Sequence, residues 1–145
     1  MAVETGQAVL TMLYNRIRDD ATMKSILGDP IDMYLQLGPD DPTFPYFWHT
    51  LNLNSIDMFH GNNTYFLDLW WYGEDASTPS AAIDRLKRLL HQWRFTTDDD
   101  EAVGIMYWFS GGFVGGTDNQ RVWHYATQWD AHFGAARDTT DIITG

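Results

Sequence analysis

The sequence predicts an α+β domain in which a mostly antiparallel sheet of about five strands carries two main helices on one face. Two observations support this prediction. Apolar residues recur at helical spacing in two segments, and apolar residues alternate with polar ones in the segments between and after them. The order is helix, three strands, helix, two strands, and the short links between successive strands favour antiparallel pairing.

Two amphipathic helices are predicted, over Thr5–Arg18 and Ser80–Trp93. Their apolar stripes are Val9, Met12, Leu13 and Ile17 in the first, and Ile83, Leu86, Leu90 and Trp93 in the second. A short helical turn, Ala21–Leu27, follows the first helix. Asp20 is expected to cap its N-terminus and Gly28 to end it. Both stripes are expected to face the core.

Five segments have the character of strands. They are Ile31–Leu37, Tyr46–Leu53, Thr64–Tyr72, Val103–Phe109 and Val122–Phe133. The third is strongly aromatic, and the last two are expected to form a hairpin around the glycine-rich stretch Gly111–Asn119. On the last strand Trp123, Tyr125, Trp129 and Phe133 share one face, and the alternation is compatible with either a core face or an interface.

Length and composition are those of one domain made in a reducing compartment. Of 145 residues, 1–133 are expected to form a single domain and 134–145, which show no periodicity, a C-terminal tail. Cysteine is absent, which excludes disulfides, thiolate zinc sites and a cysteine nucleophile. The first residues lack the pattern of a signal peptide, and no apolar run reaches the length of a membrane span, so no membrane partner is expected.

Charge and aromatic content are both unusual. The formal net charge of −11 disfavours a protein that grips nucleic acid, which needs basic groups to neutralise phosphates. Aromatic residues make up 15% of the chain, including seven Trp. A small core absorbs only part of these rings, and Trp and Tyr are enriched at protein contacts, so the surplus favours subunit interfaces over a ligand cavity.

None of the chemical motifs reaches the specificity of a catalytic, cofactor or metal site. His124 and His132 lie on one strand about 26 Å apart, too far for one ion. The acidic residues 98–101 lack the spacing of a calcium loop and are expected to form a solvated turn. Ser110 is not in a GxSxG elbow, and the two glycine pairs are not followed by a helix or a lysine. We therefore predict no enzyme activity, cofactor or metal.

Two apolar loops are the candidate partner contacts. The segment Gly111–Arg121 is expected to expose Phe113 and Val114, and the segment Asn54–Asn63 to expose Ile56, Met58 and Phe59 at its tip. The alternative for the first is an idle loop without a partner.

The element order and several local patterns resemble the tail-completion or tail-terminator proteins of long-tailed bacteriophages and related viruses. The patterns are LYNRIRDDATMKSILGD, PDDPTFPYFWHTL, NTYFLDLWWYGED and SAAIDRLKRLLHQW, followed by a terminal pair of strands. The resemblance covers most of the chain, roughly residues 10–133. It rests on the order of the elements and on these local patterns, and not on a catalytic signature.

The resemblance implies a structural protein of the virion. Such a subunit forms a ring, generally hexameric, on the end of the tail tube, stops tube growth and joins the tail to the connector of the head. Its partners would be further copies of itself, the tail tube protein and the head–neck connector, in a tail or neck assembled in the host cytoplasm. DNA would pass through the lumen without specific binding, and the negative net charge suits such a lumen, although solubility explains that charge equally well.

Two alternatives stay open at this stage. One is a small ligand-binding or enzymatic α+β domain, in which aromatic residues and His49 line a pocket. The other is a different neck or tail-adaptor protein from the same kind of assembly.

Overall fold

The computed structural model describes residues 2–35, 44–53, 63–73, 77–97, 102–117 and 122–135. It shows a mixed α+β fold with helices α1 (Ala2–Arg18), α2 (Ala21–Leu27) and α3 (Ser77–Leu90). The strands are β1 (Asp32–Leu35), β2 (Tyr46–Asn52), β3 (Asn63–Tyr72), β4 (Arg94–Thr96), β5 (Ala102–Thr117) and β6 (Val122–Ala135). The predicted fold class is confirmed at this level, and the sheet differs from the prediction in detail.

The helices follow their local signals. The Asp20 carboxylate accepts a hydrogen bond from the Met23 backbone N–H at 2.8 Å and caps α2, which ends at Gly28 with φ of 105°. The third helix ends at Leu90, before the predicted Trp93, because Gln92 takes a left-handed conformation with φ of 62°. The Gln92 backbone N–H then donates a hydrogen bond to the Met106 carbonyl oxygen.

The sheet has six strands in the order β1-β2-β3-β6-β5-β4, so the expected five are one too few. The additional strand, β4, is three residues long, and Phe95 is its one buried residue. A strand this short shows no alternation in the sequence, so it was not predicted. The sheet is also mixed, because β1 and β2 run parallel. The segment between them, residues 36–45, is longer than a tight hairpin needs, which removes the reason for expecting an antiparallel pair.

The glycine-rich stretch is a strand, and the prediction of a flexible loop beginning at Gly111 is wrong. β5 continues to Thr117 and is paired with β6 from Ala102 to Thr117; residues 118–121, between the two strands, lie outside the described ranges. Two register shifts, at Phe109 and Val114, interrupt the alternation that would have marked a strand. Gly111 is required locally, since a Cβ there would lie 2.5 Å from the Trp108 ring.

All the buried strand side chains point to one face of the sheet, where α1 and α3 pack, with α2 against α3. The largest fully buried ones are Phe47, Tyr65, Trp129 and Phe133. The last strand therefore contributes to the core through Trp129 and Phe133, while Trp123 and Tyr125 are half-buried at its other end. The division into a domain at 1–133 and a tail at 134–145 stays a prediction.

Candidate interaction surface

The described helices leave the second face of the sheet uncovered. Along β3 buried residues alternate with half-buried ones, and the half-buried set (Thr64, Phe66, Asp68 and Trp70) lies opposite the helices. We call this surface the open face. Its side chains are partly shielded by one another and not by any helix in the described ranges. An uncovered aromatic sheet face of this kind is a candidate contact surface.

A row of rings crosses four strands of the open face. Tyr34 on β1 meets Tyr46 on β2 edge-on at 5.8 Å between ring centroids, and Tyr46 stacks on Trp70 of β3 at 6.3 Å. Trp70 stacks on His124 of β6, with centroids 3.9 Å apart and planes 10° apart. Because each ring is braced by the next, the row presents a rigid surface at little entropic cost on binding.

A hydrogen-bonded pair anchors the β6 end of this row. His124 Nε2 lies 2.8 Å from Asp68 Oδ2, and both side chains are mostly buried. Burial raises the pKa of the Asp68 carboxyl above its ordinary value, and the hydrogen bond from His124 opposes this effect. Through the stack of His124 on Trp70, the pair is joined to the row.

Charge is divided between the two sides of the molecule. Strands β1, β2, β3, β5 and β6 contain three acidic residues (Asp32, Asp68 and Asp130) and no Lys or Arg. In the described ranges, all the basic side chains except Arg94 on the edge strand β4 lie on the helices. The open face is therefore apolar and mildly acidic, and the helical side carries the cations.

Beyond Trp108, β5 forms an exposed edge of the sheet. Three apolar residues there, Phe109, Phe113 and Val114, are 58%, 46% and 61% exposed, and we call them the edge strip. Phe109 and Val114 are the two residues at the register shifts. Such bulges re-aim side chains, and here both put an apolar side chain into solvent.

The predicted contact residues fall into two groups. Phe113 and Val114 are exposed as expected, but on a strand; Phe113 also contacts the rings of Trp123 at 4.9 Å and Tyr125 at 5.4 Å. Ile56, Met58 and Phe59 lie outside the described residues. Their role in partner contact stays a prediction for all five.

An open groove of about 380 Å³ lies between α1 and the β1–β2 edge, with His49 at its base. His49 is 4% exposed, and its Nδ1 lies 2.7 Å from the Tyr65 hydroxyl. Burial lowers the pKa of His49 to about 4, so the ring is neutral at pH 7. No charged side chain lines the groove among the described residues, so it offers hydrogen bonds and apolar contact only.

A second groove, of about 450 Å³, runs between α3 and the outer side of β5. It is lined by Asp84, Lys87, Arg88, His91 and Trp108. Lys87 Nζ lies 4.4 Å from the centre of the Trp108 ring, and the Trp108 backbone N–H donates to His91 Nδ1 at 2.9 Å. This basic groove adjoins the first residue of the edge strip.

Sequence reasoning missed both the ring row and the basic groove. The alternation of aromatic residues on β3 was a usable signal for the open face, whereas the groove depends on the pairing of β5 with β6. In the described ranges no cluster of three metal-binding side chains occurs. None of the described helices is long and apolar enough to span a membrane.

Comparison with known proteins identifies a shared fold. No family model matches the chain, and no curated protein matches it. Among solved structures, a chain of the "Virion of native gene transfer agent (GTA) particle" is similar, with a TM-score of 0.65 and 11% sequence identity. The match covers 83% of this chain and 90% of that chain. At this identity the likeness shows the fold alone: the protein shares its fold with a component of a virion particle.

Proposed function

We propose that the protein is a structural, non-enzymatic subunit of a phage-like virion. The observation that carries the proposal is the open face with its braced row of rings, continuous with the edge strip, on a fold shared with a virion component. Surfaces that are apolar, rigid and this extensive are stabilised by burial against other protein.

The more specific role is that of a tail terminator or tail-completion subunit. Copies of the chain would close as a ring of six on the end of the tail tube, stop its growth and present a docking surface to the head–neck connector. The sequence resemblance supports this role, and the two dissimilar surfaces, the open face with its edge and the cationic helical side, suit the head-to-tail contacts of a ring.

The net charge fits the passage of DNA through such a ring. With a formal charge of −11 per chain, the ring would repel phosphate and let DNA pass without specific binding. Assembly would take place in the host cytoplasm, and the finished protein would lie in the tail or neck of the virion.

Inactivation of the gene in the cells that make the particle tests this role. A terminator predicts free heads and tails of irregular, excessive length by electron microscopy, and its presence in wild-type particles at the head end of the tail. Tails of normal length with unattached heads would instead indicate another neck or adaptor protein. Absence of the protein from purified particles would contradict the proposal.

A further inference from the structure

We propose that the edge strip accepts the C-terminal segment of a second copy, residues 136–145, as an added strand. The inference rests on the proposed function, since it names how copies of the subunit meet. Four observations carry it: the free backbone groups of β5, the apolar side chains on both sides of the edge, the adjoining cations, and the place where β6 ends.

The backbone of β5 offers hydrogen bonds on the side away from β6. Before the first bulge, the Met106 N–H bonds the Trp93 carbonyl at 3.0 Å, and the Trp108 N–H bonds His91. These residues face outward from the β5–β6 ladder. The bulge at Phe109 shifts the alternation, so Gly111 and Phe113 are the next residues whose N–H and C=O point outward. No described strand pairs with them.

Apolar side chains flank this edge on both faces of the sheet. Phe113 lies on the helical side, against Trp123 and Tyr125, and Phe109 and Val114 lie toward the open face. A strand that covers them must carry adjacent apolar residues, because neighbouring side chains of a strand point to opposite faces. Ile142 and Ile143 are such a pair, within a segment rich in β-branched residues.

The charges of groove and segment are complementary. In the groove Lys87 and Arg88 outnumber Asp84, and in the segment Asp138 and Asp141 outnumber Arg137, so the groove is net positive and the segment net negative. In a parallel alignment with Asp138 beside Trp108, Ile142 lies beside Phe113. Phe113 is five residues after Trp108, but the bulge at Phe109 adds one residue without adding a pairing position, so four residues of the segment span the same distance. Asp138 and Ile142 would then lie on the same side as Lys87 and Phe113.

With Asp138 beside Trp108, the segment must come from a second copy. Ala135 at the end of β6 pairs with Ala102, six residues before Trp108. That separation is about 20 Å along the strand, whereas Asp138, three residues beyond Ala135, reaches at most about 11 Å. A segment in this register therefore cannot belong to its own subunit, and the contact is head-to-tail.

Two variants of the full chain disable the two halves of the contact separately. Phe113→Pro removes an outward N–H without removing a bond to β6, and its control Phe113→Thr keeps the N–H. Ile142→Asp with Ile143→Asp disables the segment, and Ile142→Val with Ile143→Val is its control. We expect the proline and double-Asp variants each to weaken self-association at least about a hundredfold. The size of the effect follows from the two isoleucines of the segment, each of which contributes roughly tenfold or more to the association constant when buried.

Mixing the two disabled variants gives the decisive result by native mass spectrometry. The intact edge of one accepts the intact segment of the other, so the mixture should form a 1:1 heterodimer while each variant alone stays monomeric. The inference is overturned if either variant associates like the unsubstituted chain or if the mixture stays monomeric. If the heterodimer forms but the protein is absent from particles, this contact is supported and the proposed function is contradicted.

Discussion

Trp70 and His124, from different strands, stack with 3.9 Å between their ring centroids, and His124 in turn bonds Asp68. The stack is therefore joined to a mostly buried carboxylate, which also accepts a hydrogen bond from the Thr127 backbone N–H.

Replacement of His124 should show how far the Asp68 carboxylate depends on its hydrogen bond. His124→Ala leaves the Asp68 carboxylate without its side-chain donor, which costs about 1–3 kcal/mol in the free energy of unfolding at pH 7. The pKa of Asp68 should rise further, because His124 now lowers it. His124→Gln, which keeps an N–H donor, should lose less. Carbon-detected NMR titration of Asp68 and urea unfolding check both statements; an unchanged Asp68 pKa in His124→Ala would contradict them.

The buried histidine of the α1 groove makes stability depend on pH. The pKa of His49 is lowered to about 4 by burial, against 6.5 for an ordinary histidine. Between pH 4 and pH 6.5, His49 is therefore protonated in the unfolded chain and neutral in the folded one. Stability is complete above pH 6.5 and falls as the pH drops toward 4, by at most about 3 kcal/mol.

His49→Gln is the matched variant for this prediction, since its amide can still bond the Tyr65 hydroxyl. The difference in unfolding free energy between the two proteins, measured in urea from pH 7 to pH 4, should change in favour of the variant as the pH falls. A pH-independent difference would show that His49 titrates normally.

Two glycines of β5 should respond oppositely to alanine. At Gly104 a Cβ would overlap the His132 carbonyl oxygen and lie 2.5 Å from Phe133 Cβ and 2.8 Å from the Phe95 ring, so Gly104→Ala should destabilise by about 1–3 kcal/mol or more. At Gly112 a Cβ meets nothing within 4 Å, and Gly112→Ala should be neutral or slightly stabilising. Thermal unfolding of the two variants compares them directly. Equal effects would mean that β5 and β6 do not pair as described.

Asp20 joins two helices. Its carboxylate caps α2 and accepts two hydrogen bonds from Arg85 of α3, at 2.7 and 2.9 Å. Chiefly through Arg85, the pKa of Asp20 is held below its ordinary 3.8, so its contribution to stability is complete above pH 3.8 and is lost as the pH falls through the lowered value.

Asp20→Asn and Asp20→Ala separate its two roles. The asparagine keeps the cap and loses the charge, whereas the alanine also loses the cap, at about 1 kcal/mol. Unfolding free energies at pH 7 should fall in the order wild type, asparagine, alanine. An asparagine variant no more stable than the alanine variant would contradict the capping role.

Local signals were sufficient for the helices. The stripe of α1, the cap at Asp20 and the end of α2 at Gly28 all depend on residues within one or two turns, and the structure has them as predicted. The end of α3 was misplaced because Gln92 is fixed by a bond to Met106 on a distant strand.

Features set by strand pairing were not predictable in the same way. The parallel pairing of β1 and β2, the strand through Gly111 and the stack of Trp70 on His124 all depend on which strands become neighbours. The bulges at Phe109 and Val114 also break the period that sequence reasoning uses. Exposure of Phe113 and Val114 was predicted because the segment was interpreted as a long hairpin loop; both are exposed, but on a strand.

The claim that the open face and edge strip are buried against other copies of this protein is tested most directly by sedimentation equilibrium of the full chain over a wide concentration range. The account predicts association with rising concentration toward a closed ring, about 100 kDa for six copies of 16.7 kDa. A single 16.7-kDa species at every concentration would contradict it.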